Sequence, residues 1–184
     1  WEGGHRVPFI ARWPGRIPPG QVSKQLTNTT DIFATVASVV GYRLPDDVAV
    51  DSFDMLPAML GIQNEDDSIR PHMLTQSFRA QFQIRQGNWK YLDHRGSGGN
   101  SYGKGILEKY ALPETAPTAT GQLFNLAADP GETTNLFFTE SAKREAMQAL
   151  LKKLTPKTGG RSAPKNREPI GIENIPRLKR LLHR

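Results

Sequence analysis

The chain contains no cysteine, which excludes disulfide bonds, thiolate nucleophiles and thiolate-held metal centres. No apolar run approaches the roughly 20 residues needed to span a bilayer as a helix. Histidine is scarce: the four copies, at positions 5, 72, 94 and 183, show no H-x-x-x-H spacing of the kind that holds zinc. Charge is short where a nucleic-acid surface needs it. Residues 1–154 carry 16 Lys/Arg against 16 Asp/Glu, and the formal net charge of +6 comes from residues 155–184, with eight against two. The folded part is therefore neutral, and a basic groove for a phosphate backbone is not written into it. What is abundant is Gly (17) and Pro (14), which favours many turns over a helical bundle. The 37% of hydrophobic residues in 184 suffices for a core burying roughly 70% of the unfolded surface.

The opening stretch concentrates unusual chemistry. Trp1-Glu2-Gly3-Gly4-His5-Arg6-Val7-Pro8 places two glycines between a carboxylate and a His-Arg pair. Glycine reaches positive φ at little cost and lets the backbone approach a ligand closely. Residues 7–13 form an apolar run that predicts a short buried strand, with Pro8 tolerated near its start. Pro14 and Gly15 fill the central positions of a type II turn. Two readings of Glu2, His5 and Arg6 stand side by side: a turn whose charges neutralise one another, Arg6 pairing with Glu2, or the rim of a site.

Further along, residues 27–31 form a capping cluster, with Asp31 read as a cap. Ile32, Phe33, Val36, Ala37 and Val40 follow at helical spacing, and Gly41 sits where a helix ends. This stripe is expected to pack on the strand over 7–13. A short helix over about 54–60 ends at Gly61. Phe78, Ala80, Phe82 and Ile84 alternate with Arg79, Gln81, Gln83 and Arg85, the pattern of a half-buried antiparallel strand. A turn at 86–88 returns the chain as a hairpin strand over 89–93. Residues 72–76 and 122–126 supply further strands, the latter closed by the turn Asp129-Pro130-Gly131-Glu132. Thr139 is expected to cap a last helix with Ala146, Leu150, Leu151 and Leu154 on one face, ended by Pro156. Strands with no helix between them imply an antiparallel sheet, and this helix is expected across one side.

A second candidate region is the glycine-rich loop after that hairpin. Within residues 93–105, His94, Arg95, Asn100 and Lys104 suit an anionic group through charge-assisted hydrogen bonds. The bland reading is a mobile hairpin extension. Residues 98–105 nearly spell a P-loop, but Gly105 stands where Ser or Thr is needed and no strand feeds it, so nucleotide binding is rejected.

Glu2-Gly3-Gly4-x-Arg6-Val7-Pro8, an apolar run and then Trp13-Pro14-Gly15 together resemble the segment of type I (formylglycine-dependent), arylsulfatase-like sulfatases that follows the last active-site lysine. Three later stretches agree in order: Asp31-Ile32-Phe33-Ala34-Thr35, then Asp51-Ser52-Phe53-Asp54-Met55-Leu56-Pro57, then Leu123-Phe124-Asn125-Leu126 with Asp129-Pro130-Gly131-Glu132-Thr133-Thr134-Asn135-Leu136. The likeness runs over about residues 1–154 and covers the C-terminal portion of such an enzyme. It implies an α+β chain: the end of an alkaline-phosphatase-like domain (1–68), a small antiparallel sheet packed by a helix (69–154), and a basic tail (155–184) expected to be disordered.

The resemblance also implies chemistry. The family's formylglycine arises in a Cys/Ser-x-Pro-x-Arg motif, which this sequence lacks; Ser162-Ala163-Pro164-Lys165-Asn166 has no Arg in place. The acidic pairs Asp46-Asp47 and Asp66-Asp67 lie on the wrong side of the Glu-Gly-Gly motif for the family's calcium site. Formylglycine and calcium are accordingly expected in an N-terminal half upstream of this chain, with that half as its partner. No catalytic group and no metal ligand are expected here, and the chain alone is expected to be inactive. Its expected share is a wall of the pocket, with His5, His94, Arg95, Asn100 and Lys104 toward a sulfated small molecule or glycan and Glu2, Gly3, Gly4 and Arg6 as the structural rim. The complete enzyme is expected to hydrolyse aryl or carbohydrate sulfate esters in a periplasmic or extracellular setting, without nucleic-acid or membrane partners. The alternative is a non-catalytic module that binds sulfated glycans.

Overall fold

The structure, a computed structural model, describes residues 1–77, 79–99, 102–155 and 168–169. Phe78, Asn100 and nearly all of the expected tail lie outside the described residues. The chain divides into two compact units, one of Trp1–Pro8 with His72–Lys157 and one of Phe9–Pro71 with Thr158–Arg184.

The first unit is built on four antiparallel strands in the order β1 (Met73–Gln76), β2 (Phe82–Gln86), β3 (Trp89–Leu92), β4 (Gln122–Asn125). The β2–β3 hairpin closes through Gly87-Asn88. Gly87 has φ 56°, the positive value that the first central residue of a type II′ turn requires. β2 begins later than the alternation predicts. Ahead of it, Ser77 N–H bonds Gln81 O at 2.7 Å and Ala80 adopts φ 59°.

Register decides which side chains share a face. Ile84, Tyr91 and Leu123 lie opposite one another, as do Arg85, Lys90 and Phe124, and as do Gln83, Leu92 and Gln122. The Ile84–Tyr91–Leu123 row packs with α3 (Ser141–Leu154), whose Met147 and Leu151 are buried in the same cluster, beside Ala116, Ala119 and Phe137. Met147 takes the place that the spacing gave to Ala146, which is exposed. Thr139 makes no cap; its hydroxyl donates to Leu136 O, and Glu140 precedes the helix without a side-chain cap. The motif residue Asn135 ties the sheet to its return loop. Its Oδ1 accepts from Leu123 N–H at 3.0 Å and Phe137 N–H at 3.1 Å, while its Nδ2 donates to Gly121 O at 3.2 Å.

The second unit holds α1 (Asp31–Val39) and the single-turn α2 (Leu56–Met59). Leu56 and Leu60 form a small core with Trp13, Ile17 and Val39. Residues 7–13 form no strand, contrary to the apolar pattern; Val7, Phe9 and Ile10 are exposed. No neighbouring strand among the described residues offers them a ladder, and Pro8 has no N–H to contribute. The Pro14-Gly15 turn does form, with Gly15 at φ 77° and Arg16 N–H bonded to Trp13 O at 3.0 Å.

The apolar stripe of α1 also departs from expectation. Ile32, Phe33, Val36 and Val40 are exposed, whereas Asp31, Ala34, Thr35, Ala37 and Ser38 are buried. The polar side wins because residues 51–55 satisfy it. Ser52 Oγ accepts from Ala34 N–H at 2.9 Å and donates to Thr30 O at 2.7 Å, and Thr35 Oγ1 accepts from Met55 N–H at 2.9 Å. Asp31, read from sequence as a cap, is instead a buried ion-pair partner of Arg70. Its Oδ2 accepts from Asn28 N–H at 2.8 Å and its Oδ1 from Phe53 N–H at 2.9 Å. Gly41 ends α1 as its spacing predicts, with φ 70° and Tyr42 N–H bonded back to Ala37 O at 2.8 Å.

Candidate functional site

The sheet has a second covered face. Gln83, Lys90, Leu92, Gln122 and Phe124, on the side opposite α3, are all buried. Their cover is the opening segment, and the contacts run along the chain in order: Trp1 to Gln122, Glu2 to Lys90 and Arg85, His5 to Gln83. A polar strand face alternating with an apolar one ordinarily faces water. Here a polar segment with matched charges covers it.

Glu2–Gly4 is one turn of 3-10 helix. Its first amide, Glu2 N–H, donates to Glu132 Oε2 at 2.5 Å. The Glu2 carboxylate lies 2.9 Å from Arg85 and 3.1 Å from Lys90 Nζ, and Glu132 Oε1 lies 2.8 Å from the same Nζ. Lys90 and Glu132 meet off the line of a good hydrogen bond, so their contact is an ion pair. Arg6 is not the partner of Glu2; the strand cations are, and Arg6 is exposed. Gly3 and Gly4 have no positive φ, and a methyl group on either would meet nothing within 4 Å. Among the described residues nothing requires glycine there, and the space above both residues is open to an approaching ligand.

His5 packs against the Gln83 side-chain amide through Nε2, with Gln83 Oε1 left unpartnered. Turning that amide by 180° lets its oxygen accept the His5 Nε2–H. Burial of its inner edge, then the charge of Lys90, hold His5 below its ordinary value of 6.5. Burial pushes the Glu2 carboxyl up, but Lys90 and Arg85 outweigh it, and Glu2 ends below its ordinary 4.5.

These shifts fix a pH dependence for the sheet unit. The unfolded chain protonates His5 more readily than the folded one, so stability is lost as pH falls through 6.5. The contribution of Glu2 is present above 4.5 and is lost as pH falls through its lowered folded value. The denaturant midpoint of this unit is therefore expected to fall in two stages between pH 7 and the acid limit. A flat midpoint over pH 7 to 4 contradicts the assignment.

Trp1 joins this turn to the glycine-rich loop. Its indole stacks on Tyr102 with centroids 5.6 Å apart and donates from Nε1 to Gln122 Oε1 at 3.1 Å. Gln122 Nε2 in turn donates to His94 O at 3.0 Å and Gly96 O at 2.7 Å. Within the loop, His94 is buried, its Nδ1 3.1 Å from Arg95 O and its ring so close to Gly98 that any side chain there would collide. Arg95 is exposed but anchored, donating from Nε to Ala119 O at 2.6 Å. Lys104 is exposed. His5, Arg95 and Lys104 thus present polar groups at the surface, while His94 serves the loop. Sequence reasoning missed Lys90, Gln122 and Glu132. The available signal was a lysine between Trp89 and Tyr91 in an interior strand, a place where a cation needs buried partners.

The family model described as Sulfatase matches residues 1–42, which include the Glu2–Gly4 turn. N-acetylgalactosamine-6-sulfatase of the dog (Canis lupus familiaris) is 34% identical over 156 residues, covering 80% of this chain and 29% of that protein. N-acetylgalactosamine-6-O-sulfatase of Bacteroides thetaiotaomicron is 32% identical over 136 residues, 74% of this chain and 24% of that one. The chain belongs to the sulfatase family. Human arylsulfatase A matches at 33% identity over 82% of this sulfatase chain and 30% of its own. A solved structure from work on glycosaminoglycan metabolism by Bacteroides thetaiotaomicron superposes with a TM-score of 0.65 at 28% identity, over 83% of this chain and 30% of that one. A second, in complex with D-glucosamine-2-N,6-O-disulfate, gives a TM-score of 0.53 at 16% identity, a likeness of fold alone. This chain spans about a quarter to a third of these relatives' length, matches their C-terminal part and shares their alkaline-phosphatase-like fold.

Proposed function

We propose that this chain forms the C-terminal wall of a sulfatase that hydrolyses sulfate esters of a glycan. The observation that carries the reading is the seating of the family-matched turn Glu2–Gly4 and of His5 on the buried polar face of the sheet, with the 94–104 loop joined to it through Trp1. Turn and loop together offer an open backbone at Gly3 and Gly4, a neutral imidazole, and the exposed cations Arg95 and Lys104. Such a set binds and orients an anionic sugar by hydrogen bonds and charge. It contains no nucleophile. Among the described residues no three His, Cys, Asp or Glu side chains stand close enough to hold a metal ion. Formylglycine and calcium belong, on this proposal, to the remainder of the enzyme. The exposed face of α1, with Ile32, Phe33, Val36 and Val40, is the apolar surface against which that remainder packs.

The test is turnover. The purified 184-residue chain, given a chromogenic aryl sulfate and calcium, is expected to release no product above background. Measurable turnover would overturn the assignment of a non-reacting wall. Salt-sensitive heparin binding that survives deletion of residues 155–184 would favour the binding-module alternative, because charge in the tail alone gives no such result.

A further inference from the structure

We propose that Lys90 is a positioning residue: through Glu2 and Glu132 it seats the Glu2–Gly4 turn and His5 on the sheet, and so sets where that turn faces its ligand. The ligand in this statement rests on the sulfatase reading; the seating itself does not.

Lys90 is 2% exposed on an interior strand, and its ammonium group has left water entirely. A buried cation persists where anions compensate it, and two carboxylates from opposite ends of the unit do so. Glu132 comes from the turn after β4 and holds φ 55°, a conformation that costs energy in a residue with a side chain. The cost is matched by a double duty. One Glu132 oxygen meets Lys90, and the other accepts the first amide of the 3-10 turn. The turn answers with its own carboxylate, which returns to Lys90 and to Arg85. Backbone and side chain of Glu2 are thus fixed by one cation and its counter-ion, and His5, three residues on, is held against Gln83. A lysine serving strand packing alone would need one carboxylate and would leave the Glu2 amide to solvent. The charged groups facing Lys90 are Glu2, Glu132, Arg85 and His5. Replacing the cation therefore registers at His5 even though the two side chains do not touch.

The experiment uses the 15N-labelled 184-residue chain and the variants Lys90→Met and Lys90→Arg. In Lys90→Met, exchange of the Glu2 amide is expected to quicken about tenfold or more. The His5 imidazole is expected to titrate higher, toward its ordinary value, while the amides of Ile84, Tyr91 and Leu123 keep their protection. Lys90→Arg, which keeps the charge, is expected to restore both readouts at least in part. Unchanged Glu2 exchange and unchanged His5 titration in a folded Lys90→Met chain would overturn the proposal. Should Lys90→Met unfold the sheet, Glu132→Gln tests the same claim, since it keeps the sheet cation and removes its counter-ion. Faster exchange at Glu2 than in the strands supports the seating, and equal rates refute it. No substrate enters these measurements, so a failure of the sulfatase reading leaves them intact, and their failure leaves that reading intact.

Discussion

Arg70→Met is expected to unfold the helical unit, at a cost of about 3–5 kcal/mol, the range for removing one partner of a buried ion pair. Asp31 is 1% exposed and Arg70 7%. The guanidinium bridges both carboxylate oxygens, donates to Asp51 O at 2.7 Å and covers the Phe53 ring at 4.4 Å. Methionine keeps most of the volume and loses every one of those donors. The carboxylate then remains buried with the amides of Asn28 and Phe53 and the Thr27 hydroxyl to oppose its charge. Asp31→Asn is expected to cost a comparable amount, because it leaves the buried Arg70 guanidinium without its counter-charge, although the amide oxygen still accepts a hydrogen bond. Urea titration followed by amide signals of α1 measures both. A midpoint for Arg70→Met within error of the parent contradicts the account of this unit.

Gln122→Leu is the second substitution of large expected effect. It preserves volume at a site 2% exposed and removes an amide that serves three partners at once. The Trp1 indole N–H loses its acceptor, and the carbonyls of His94 and Gly96 lose their donor. Each buried partner so stranded costs about 1–3 kcal/mol. The loss is expected to concentrate in the opening turn and the 94–104 loop. The Ile84–Tyr91–Leu123 row lies on the other face and does not touch this amide. Exchange rates resolved by residue distinguish that outcome from uniform weakening, which would mean that Gln122 acts through the α3-side core instead.

The local code of this chain is readable where turn chemistry and periodicity act alone. Gly87 closes the hairpin, Gly41 ends α1, and Pro14-Gly15 turns the chain, each because few other residues adopt the required φ. Ile84 and Tyr91 lie in the core as their alternation requires. What periodicity does not carry is which side of an element is covered. The apolar stripe of α1 is periodic and exposed, and the polar residues Gln83, Lys90 and Gln122 on one face of the sheet are buried. Both reversals come from partners distant in sequence. Arg70 lies 39 residues from Asp31, and Glu132 meets the Glu2 amide across 130. A pattern confined to one strand or helix holds no record of a counter-ion that far away. The same limit explains the site. The Glu-Gly-Gly turn is legible as a motif, whereas the lysine and glutamine that seat it look like ordinary strand residues until the register is known.

The central claim is that the opening turn and the 94–104 loop form one surface facing a sulfated sugar. The direct test is a titration of the 15N-labelled chain with N-acetylgalactosamine 6-sulfate and, in parallel, with the unsulfated sugar. Amide shifts confined to residues 3–5 and 94–104, seen only with the sulfated ligand, are the predicted result. Shifts confined to residues 155–184, or equal shifts with both sugars, would contradict it.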